Sequence, residues 1–259
     1  MPDRVNKTKS MSHEIAAAPD GSLIYAVGDI HGQLHLLDNL LDQIVADSAQ
    51  LSGFQNRVLV FVGDYVDRGP DSAGVIERLI SGLPEGFDAH CLMGNHEAML
   101  LDILDDPTLL GRWLMNGAEA TMASYGVEAP SMDAPVTKFV QCRDRFLAAL
   151  PSSHLNFLKT LPLSITLGGY HFVHAGVRPG VPLDRQARND ALWIRDGFID
   201  SGEEFGCVVV HGHTPGREPV ERSNRIGIDT GAWAYGCLTA LRLFGVERHF
   251  FFADEDGDV

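Results

Sequence analysis

Three stretches decide how this chain reads: Gly28-Asp29-Ile30-His31-Gly32, Gly63-Asp64-Tyr65-Val66-Asp67-Arg68-Gly69 and Gly94-Asn95-His96-Glu97. Each follows an apolar run of strand length, at 23–27, 58–62 and 89–93. Between the runs, apolar residues recur at helical spacing: Leu34, Leu37, Leu40, Leu41, Ile44 and Val45, then Val75, Ile76, Leu79 and Ile80. Asp71 or Ser72 is placed to cap the second helix, and a third is expected over 98–104. This β-α-β-α-β-α order predicts a mostly parallel sheet with helices on its faces. Asp29 and Asp64 are 35 positions apart, Asp64 and Asn95 31. Each interval fits one β-α-β step of about 30 residues. The three clusters therefore fall together on the rim formed by the strands' carboxyl ends, where open α/β sheets bind ligands.

Farther along, residues 107–162 carry helical patches with scattered Pro and Gly and read as a mainly helical insertion or cap. Strand signals return at 163–167, 170–174, 207–211, 225–229, 237–243 and 247–252, which could supply a second sheet. Two of these runs also end in polar clusters, His174-Ala175-Gly176 and His211-Gly212-His213-Thr214.

The donors gathered this way are Asp, Asn and His, with no Cys. Oxygen and imidazole donors suit divalent ions such as Mn, Fe, Zn or Co. Asp29 and His31 are two positions apart, so in extended chain they point the same way and can grip one ion. Taken singly each residue has a structural explanation: Asp as a helix cap, Asn in a turn, His half-buried in a core. Five strand-end clusters of ligand-type residues, three of them in β-α-β register, do not.

The motifs GDIHG, GDYVDRG and GNHE, followed by HAG and GHT, resemble the signature of the PPP-type phosphoprotein phosphatases within the calcineurin-like metallophosphoesterases, in the bacterial branch that includes bacteriophage lambda phosphatase. Leu192-Trp193-Ile194-Arg195 and Ile228-Asp229-Thr230-Gly231-Ala232 add to the likeness, which covers about residues 23–243. The resemblance implies an α/β fold, a central β-sandwich flanked by helices. It implies two divalent metal ions, with manganese expected and Fe, Zn, Co or Ni as alternatives. One would be held by Asp29, His31 and Asp64, the other by Asp64, Asn95, His174 and His213, Asp64 bridging. His213 is preferred over His211 because it occupies the GHT position. Arg68, Arg195 and Asn95 match substrate-binding positions. His96 matches the general acid and Asp67 its carboxylate partner. The implied reaction is direct attack on a phosphate monoester by a water that both metals activate.

For substrate, the relatives that cleave dinucleoside tetraphosphates symmetrically typically lack the Asp of the DRG motif and carry GNHD; this chain has Asp67 and Glu97. That favours phosphoprotein or phosphomonoester hydrolysis over symmetrical tetraphosphate cleavage. The likeness to protein phosphatases makes serine/threonine phosphoproteins the expected substrate, with phosphotyrosine a further one, and symmetrical tetraphosphate cleavage or small-molecule phosphomonoester hydrolysis the alternative. Arg112, Trp113, Met115, Asn116 and Tyr125 of the insertion could line a substrate groove, and Trp233 and Tyr235 flank the phosphate pocket or pack in the core. A metal-braced binding protein is the competing class. It would lack a ligand or His96, and none is missing.

The chain has 259 residues and a net charge of −15. That charge disfavours nucleic acid and anionic membranes as partners, because both repel it. A phosphorylated protein or small phosphomonoester is compatible, because two divalent ions and two arginines make a local positive pocket. Cys91, Cys207 and Cys237 lie in apolar runs and read as reduced core residues, and no two cysteines have metal-knuckle spacing. Neither a signal peptide nor a membrane span is evident, so a cytoplasmic location is expected. Residues 1–20 are expected to form a flexible tail, 21–252 a single domain, and 253–259 an acidic tail.

Overall fold

The computed structural model describes residues 16–254. Among the described residues, ten strands form two five-stranded sheets. The first has the order β10 (Glu247–Asp254), β9 (Cys237–Phe244), β1 (Ser22–Val27), β2 (Asn56–Phe61), β3 (Phe87–Cys91). The second has β4 (Ser164–Leu167), β5 (Tyr170–Val173), β6 (Val208–His211), β8 (Arg225–Gly227), β7 (Val220–Glu221). The parallel core predicted from the sequence is present as β1-β2-β3 and again as β5-β6-β8. Both sheets are mixed, because β9 adds antiparallel to β1 and β10 antiparallel to β9, and β4 and β7 close the second sheet antiparallel.

Side-chain alternation explains why the sheets stack. Ile24, Ala26, Val58, Val60 and Val62 point to one face of the first sheet and pack on Tyr170, Phe172, Val208, Val210 and Ile226 of the second. Leu23, Tyr25, Val27, Leu59 and Phe61 point the other way, onto the helices. There α1 (Leu34–Gln50), α2 (Ser72–Ser81) and α3 (Asn95–Asp105) bury Leu37, Leu40, Leu41, Val75, Ile76 and Leu100. Asp71, not Ser72, caps α2, its carboxylate accepting from the Gly74 N–H at 2.7 Å.

Within 107–162 lie α4 (Leu110–Leu114), α5 (Ala118–Ser124), α6 (Val136–Ala149) and α7 (Ser152–Thr160). They join the helical layer through Trp113, Met122, Phe139 and Phe146. On the outer face of the second sheet, α8 (Arg188–Trp193) and α9 (Asp196–Ile199) bury Ala191 and Phe198. A last turn, α10 (Ala232–Tyr235), precedes β9.

Three expectations change. Strand β3 lies two residues earlier than 89–93, and α3 starts at Asn95 rather than 98, which places Asn95, His96 and Glu97 in its first turn. Residues 16–20 are not loose: the Ala18 N–H donates to Gly245 O at 2.7 Å, the Gly169 N–H to Ala17 O at 2.8 Å, and the Tyr170 hydroxyl to Ala16 O at 3.1 Å. Ala253 and Asp254 pair with Leu238 and Cys237 as the end of β10. The rest of both expected tails, 1–15 and 255–259, lies outside the described residues.

All four cysteines are free, but Cys142 is the buried one, whereas Cys91, Cys207 and Cys237 are half-buried. Cys91 ends an edge strand and Cys237 opens β9, so neither is enclosed on all sides. Among the described residues no helix is long and apolar enough to cross a membrane.

Candidate metal and phosphoester site

The strand order brings all five clusters to one rim. Asp29 follows β1, Asp64 follows β2, Asn95 opens α3 after β3, His174 follows β5 and His213 follows β6. The loops are stitched together: the N–H groups of Ile30 and His31 donate to Asp64 O at 3.1 and 2.8 Å, and the Gly212 N–H to His174 O at 2.8 Å. Asp29, His31, Asp64, Asn95, His96, His174 and His213 are all buried.

Two donor clusters that could hold metal ions share Asp64. His31, Asp64 and His96 form one; Asp64, His174 and His213 form the other. Asp64 Oδ2 lies 3.5 Å from His31 Nε2, 3.4 Å from His174 Nε2 and 3.8 Å from His96 Nε2. Asn95 Oδ1 lies 2.8 Å from His174 Nε2. Asp29 approaches from the other side, with Oδ2 accepting from the His213 N–H at 3.0 Å and Oδ1 buried without a partner.

Hydrogen bonds at the far nitrogens aim the imidazoles. His31 Nδ1 donates to Val66 O at 2.8 Å and His174 Nδ1 to Val62 O at 3.0 Å, with tautomers assigned from these acceptors. Each leaves its Nε2 lone pair toward the centre, the orientation that a metal ligand needs. His174 Nε2 then faces Asn95 Oδ1 acceptor to acceptor, and Asp29 Oδ1 has nothing to accept from. Both arrangements are reconciled by cations, so the donor set fits divalent ions.

The charges agree. Burial, reinforced by Asp229 and Asp64, pushes the Asp29 carboxyl well above its ordinary range. Burial also raises Asp229 to about 6. At Asp64 burial is outweighed by His174, His96 and His31, which hold it well below the usual range. Burial and the neighbouring His174 bring His213 down to about 2.

Next to these ligands sits a dyad. His96 Nδ1 is 2.7 Å from Asp67 Oδ2. Burial opposes the charged imidazole, but Asp64 and Asp67 outweigh it and raise His96 above its ordinary value. Two arginines flank the site. Arg68 Nη1 donates to His31 Nε2 at 2.9 Å, and its guanidinium lies 4.7 Å over the ring of Trp233. Arg195 is exposed and donates from Nε to His213 Nε2 at 3.2 Å.

The backbone is as unusual as the side chains. Among the described residues, five that are not glycine have positive φ: His31, Asp64, Asp67, Arg68 and His213. All five belong to this site. The left-handed region costs a residue with a Cβ about 1–2 kcal/mol. Glycines make room beside them. A Cβ on Gly94 would strike Asp64 Oδ1, and one on Gly212 would strike Asp29 Oδ1.

Some of these contributions are not apparent from the sequence. Glu97 is fully buried and accepts four backbone N–H groups, from Asp64 and Gly94 at Oε2 and from Tyr65 and Val66 at Oε1. Glu97 falls just ahead of the helix expected over 98–104, so the sequence did not mark it as a helix-start carboxylate. Trp113, expected in a substrate groove, is instead fully buried and donates to Asp67 Oδ2 at 2.7 Å. Tyr125 bonds His154 at 2.8 Å within the insertion. Arg112 and Met115 are the exposed members of that set, and the Arg112 guanidinium lies over Trp193 at 5.1 Å. Trp233 and Tyr235 are exposed, which excludes core packing. His211 turns away, its Nδ1 on Gly212 O and its ring against Phe198.

The chain belongs to the calcineurin-like phosphoesterase family, whose model matches residues 22–237. Its relatives carry two kinds of name. A bis(5'-nucleosyl)-tetraphosphatase PrpE (asymmetrical) of Bacillus thuringiensis is 31% identical over 238 residues, 83% of this chain and 88% of that one. Serine/threonine-protein phosphatase 1 of Salmonella typhimurium is 29% identical over 233 residues, 85% of this chain and 91% of that one. Among solved structures, a candidate diadenosine tetraphosphatase superposes with a TM-score of 0.61 at 22% identity, covering 93% of this chain and 98% of that one. The last likeness shows the fold.

Proposed function

We propose that this protein hydrolyses phosphate monoesters, with phosphoserine and phosphothreonine side chains of proteins as its substrate class, in the PPP-type branch that GDYVDRG and GNHE indicate. The observation that carries this reading is the buried hydrogen bond between Asp67 and His96. A serine or threonine alkoxide is a poor leaving group and needs a proton as it departs. Such acid catalysis contributes about 10²–10⁴-fold. Nucleotide and aryl leaving groups depart as weakly basic anions and gain less from it.

Asp29, His31 and Asp64 would hold one divalent ion, and Asp64, Asn95, His174 and His213 the other. Ions bound there would supply an activated water and neutralise charge on the phosphoryl oxygens. Arg68 and Arg195 grip those oxygens with guanidinium forks, whose planar geometry a lysine lacks. Asn95 adds an amide beside them. Asp67 accepts from Nδ1 of His96, which orients the ring so that its Nε2 proton meets the leaving oxygen.

A specific observation supports a second reading. Trp233 and Tyr235 are exposed and carry Arg68 and Arg217, each 4.7 Å from the ring centre. Flat aromatic faces close to Arg68, itself placed to bind phosphate, suit a nucleobase. The tetraphosphatase relatives are named for asymmetrical cleavage, so this reading takes that form rather than the symmetrical one weighed as an alternative from the sequence.

A panel decides between them. Phosphoserine, phosphothreonine and phosphotyrosine peptides are compared with diadenosine tetraphosphate at matched concentration, with Mn supplied. The proposal expects kcat/KM on a phosphoserine or phosphothreonine peptide to exceed that on the tetraphosphate at least tenfold. The reverse order overturns it.

A further inference from the structure

The helical insertion reaches the reaction through one carboxylate. Asp67 is completely buried and every contact of its side chain is accounted for. Oδ1 accepts from the Thr121 hydroxyl at 2.6 Å. Oδ2 accepts from Trp113 Nε1 at 2.7 Å and from His96 Nδ1 at 2.7 Å. The Asp67 N–H donates to Thr121 Oγ1 at 2.7 Å and to Ser72 Oγ at 3.1 Å. Thr121 thus holds both ends of a residue whose φ is 72°, where a Cβ is strained. Trp113 and Thr121 come from α4 and α5, 46 and 54 positions beyond Asp67.

We propose that Trp113 and Thr121 are positioning residues for leaving-group protonation, fixing the Asp67 carboxylate so that His96 is held in one orientation and one tautomer. This rests on His96 being the general acid. The indole is a donor only, so Trp113 commits Oδ2 to accepting and His96 Nδ1 to donating. A neutral His96 then carries its proton on Nδ1 and presents a bare Nε2, and the imidazolium carries its additional proton at Nε2, facing the site. A carboxylate free to rotate would let the ring turn or exchange tautomers. Neither Trp113 nor Thr121 needs to touch substrate.

The insertion is therefore part of the catalytic apparatus as well as a cover. It is anchored for that purpose: Trp113 packs edge-on against Phe146 of α6 with ring centres 5.5 Å apart, and Arg68 N donates to Gly117 O at 3.1 Å, just ahead of α5.

The test uses Trp113→Phe, Thr121→Val, Thr121→Ser and His96→Asn in the metal-loaded protein, with an alkyl and an aryl phosphate compared throughout. The Phe variant keeps an aromatic ring in the core, and Val keeps the shape of Thr without its hydroxyl. Trp113→Phe and Thr121→Val are expected to lower kcat on the alkyl phosphate about tenfold, a fraction of what acid catalysis supplies. The aryl phosphate should change less than about threefold, KM and metal content should hold, and Thr121→Ser should restore the alkyl rate. If His96→Asn suppresses the alkyl phosphate selectively but Trp113→Phe and Thr121→Val affect both substrates equally, or neither, the positioning role is overturned and the acid role stands. If His96→Asn itself affects both equally, the acid role falls and the inference with it.

Discussion

Glu97 Oε2 accepts the backbone N–H of Asp64 at 2.9 Å, so a helix-start carboxylate fixes the loop of the shared ligand. The same oxygen takes the Gly94 N–H at 2.9 Å, while Oε1 takes Tyr65 and Val66 at 2.7 and 3.2 Å. Glu97→Gln puts an NH2 against two of these four N–H groups whichever way the amide turns. Each buried unsatisfied group costs about 1–3 kcal/mol. The variant should lose about 2–4 kcal/mol of stability, a fall in Tm of about 5–15 °C. Calorimetry on the two proteins checks it. An unchanged Tm would show that the loop holds itself.

The proposed ligands come from both sheets. Asp29, His31, Asp64 and Asn95 extend from the first, His174 and His213 from the second. An ion bound across them stabilises only the assembled sandwich. At a free concentration of 100 times Kd this adds about 2.7 kcal/mol per site. Divalent ions should therefore raise Tm and a chelator lower it. Asp64→Asn should abolish most of that response, along with activity, because Asp64 belongs to both clusters. Metal content and thermal scans with and without chelator measure both effects.

Stability should also fall in mild acid for a reason remote from the site. Burial lowers His171 to about 4, with its Nδ1 2.8 Å from the Thr166 hydroxyl. In the unfolded chain the group titrates near about 6.5, so between these values the unfolded state binds the extra proton. Its contribution is complete above about pH 6.5 and is lost as pH falls toward 4, on the order of 2–3 kcal/mol. His171→Gln should flatten that limb of the stability–pH curve, and denaturant titrations at pH 7 and pH 5 read it directly.

Trp233→Ala removes the face on which Arg68 lies. For a phosphopeptide the expected change is a rise in KM of about threefold to tenfold as Arg68 loses its support, a cation–π contact being worth about 0.5–1 kcal/mol or more. A far larger loss confined to diadenosine tetraphosphate would mark Trp233 as a base-stacking surface. Steady-state kinetics on both substrates separates these outcomes.

Much of the site was legible because β-α-β spacing is a geometric constraint. It puts Asp29, Asp64 and Asn95 on one rim whatever the side chains around them do. The partners of Asp67 were not legible. Trp113 and Thr121 sit in short helices whose apolar spacing signals burial but not which polar atom a donor will meet. Strand direction was equally hidden: the run at 237–243 signals a strand as the parallel ones do, yet β9 enters antiparallel beside β1. The half-buried cysteines follow from the same gap, since an apolar run does not say whether its strand is central or, like β3, at an edge.

The five left-handed residues have a consequence for how this protein can change. Each of His31, Asp64, Asp67, Arg68 and His213 would sit more comfortably as glycine or asparagine. Selection for thermal robustness alone would drift these positions toward such residues, and every step would erase a proposed metal ligand, a proposed phosphate-binding arginine or the Asp67–His96 hydrogen bond. Hardening by mutation should therefore succeed in the helical layer and at the edge strands, and be unproductive at the rim.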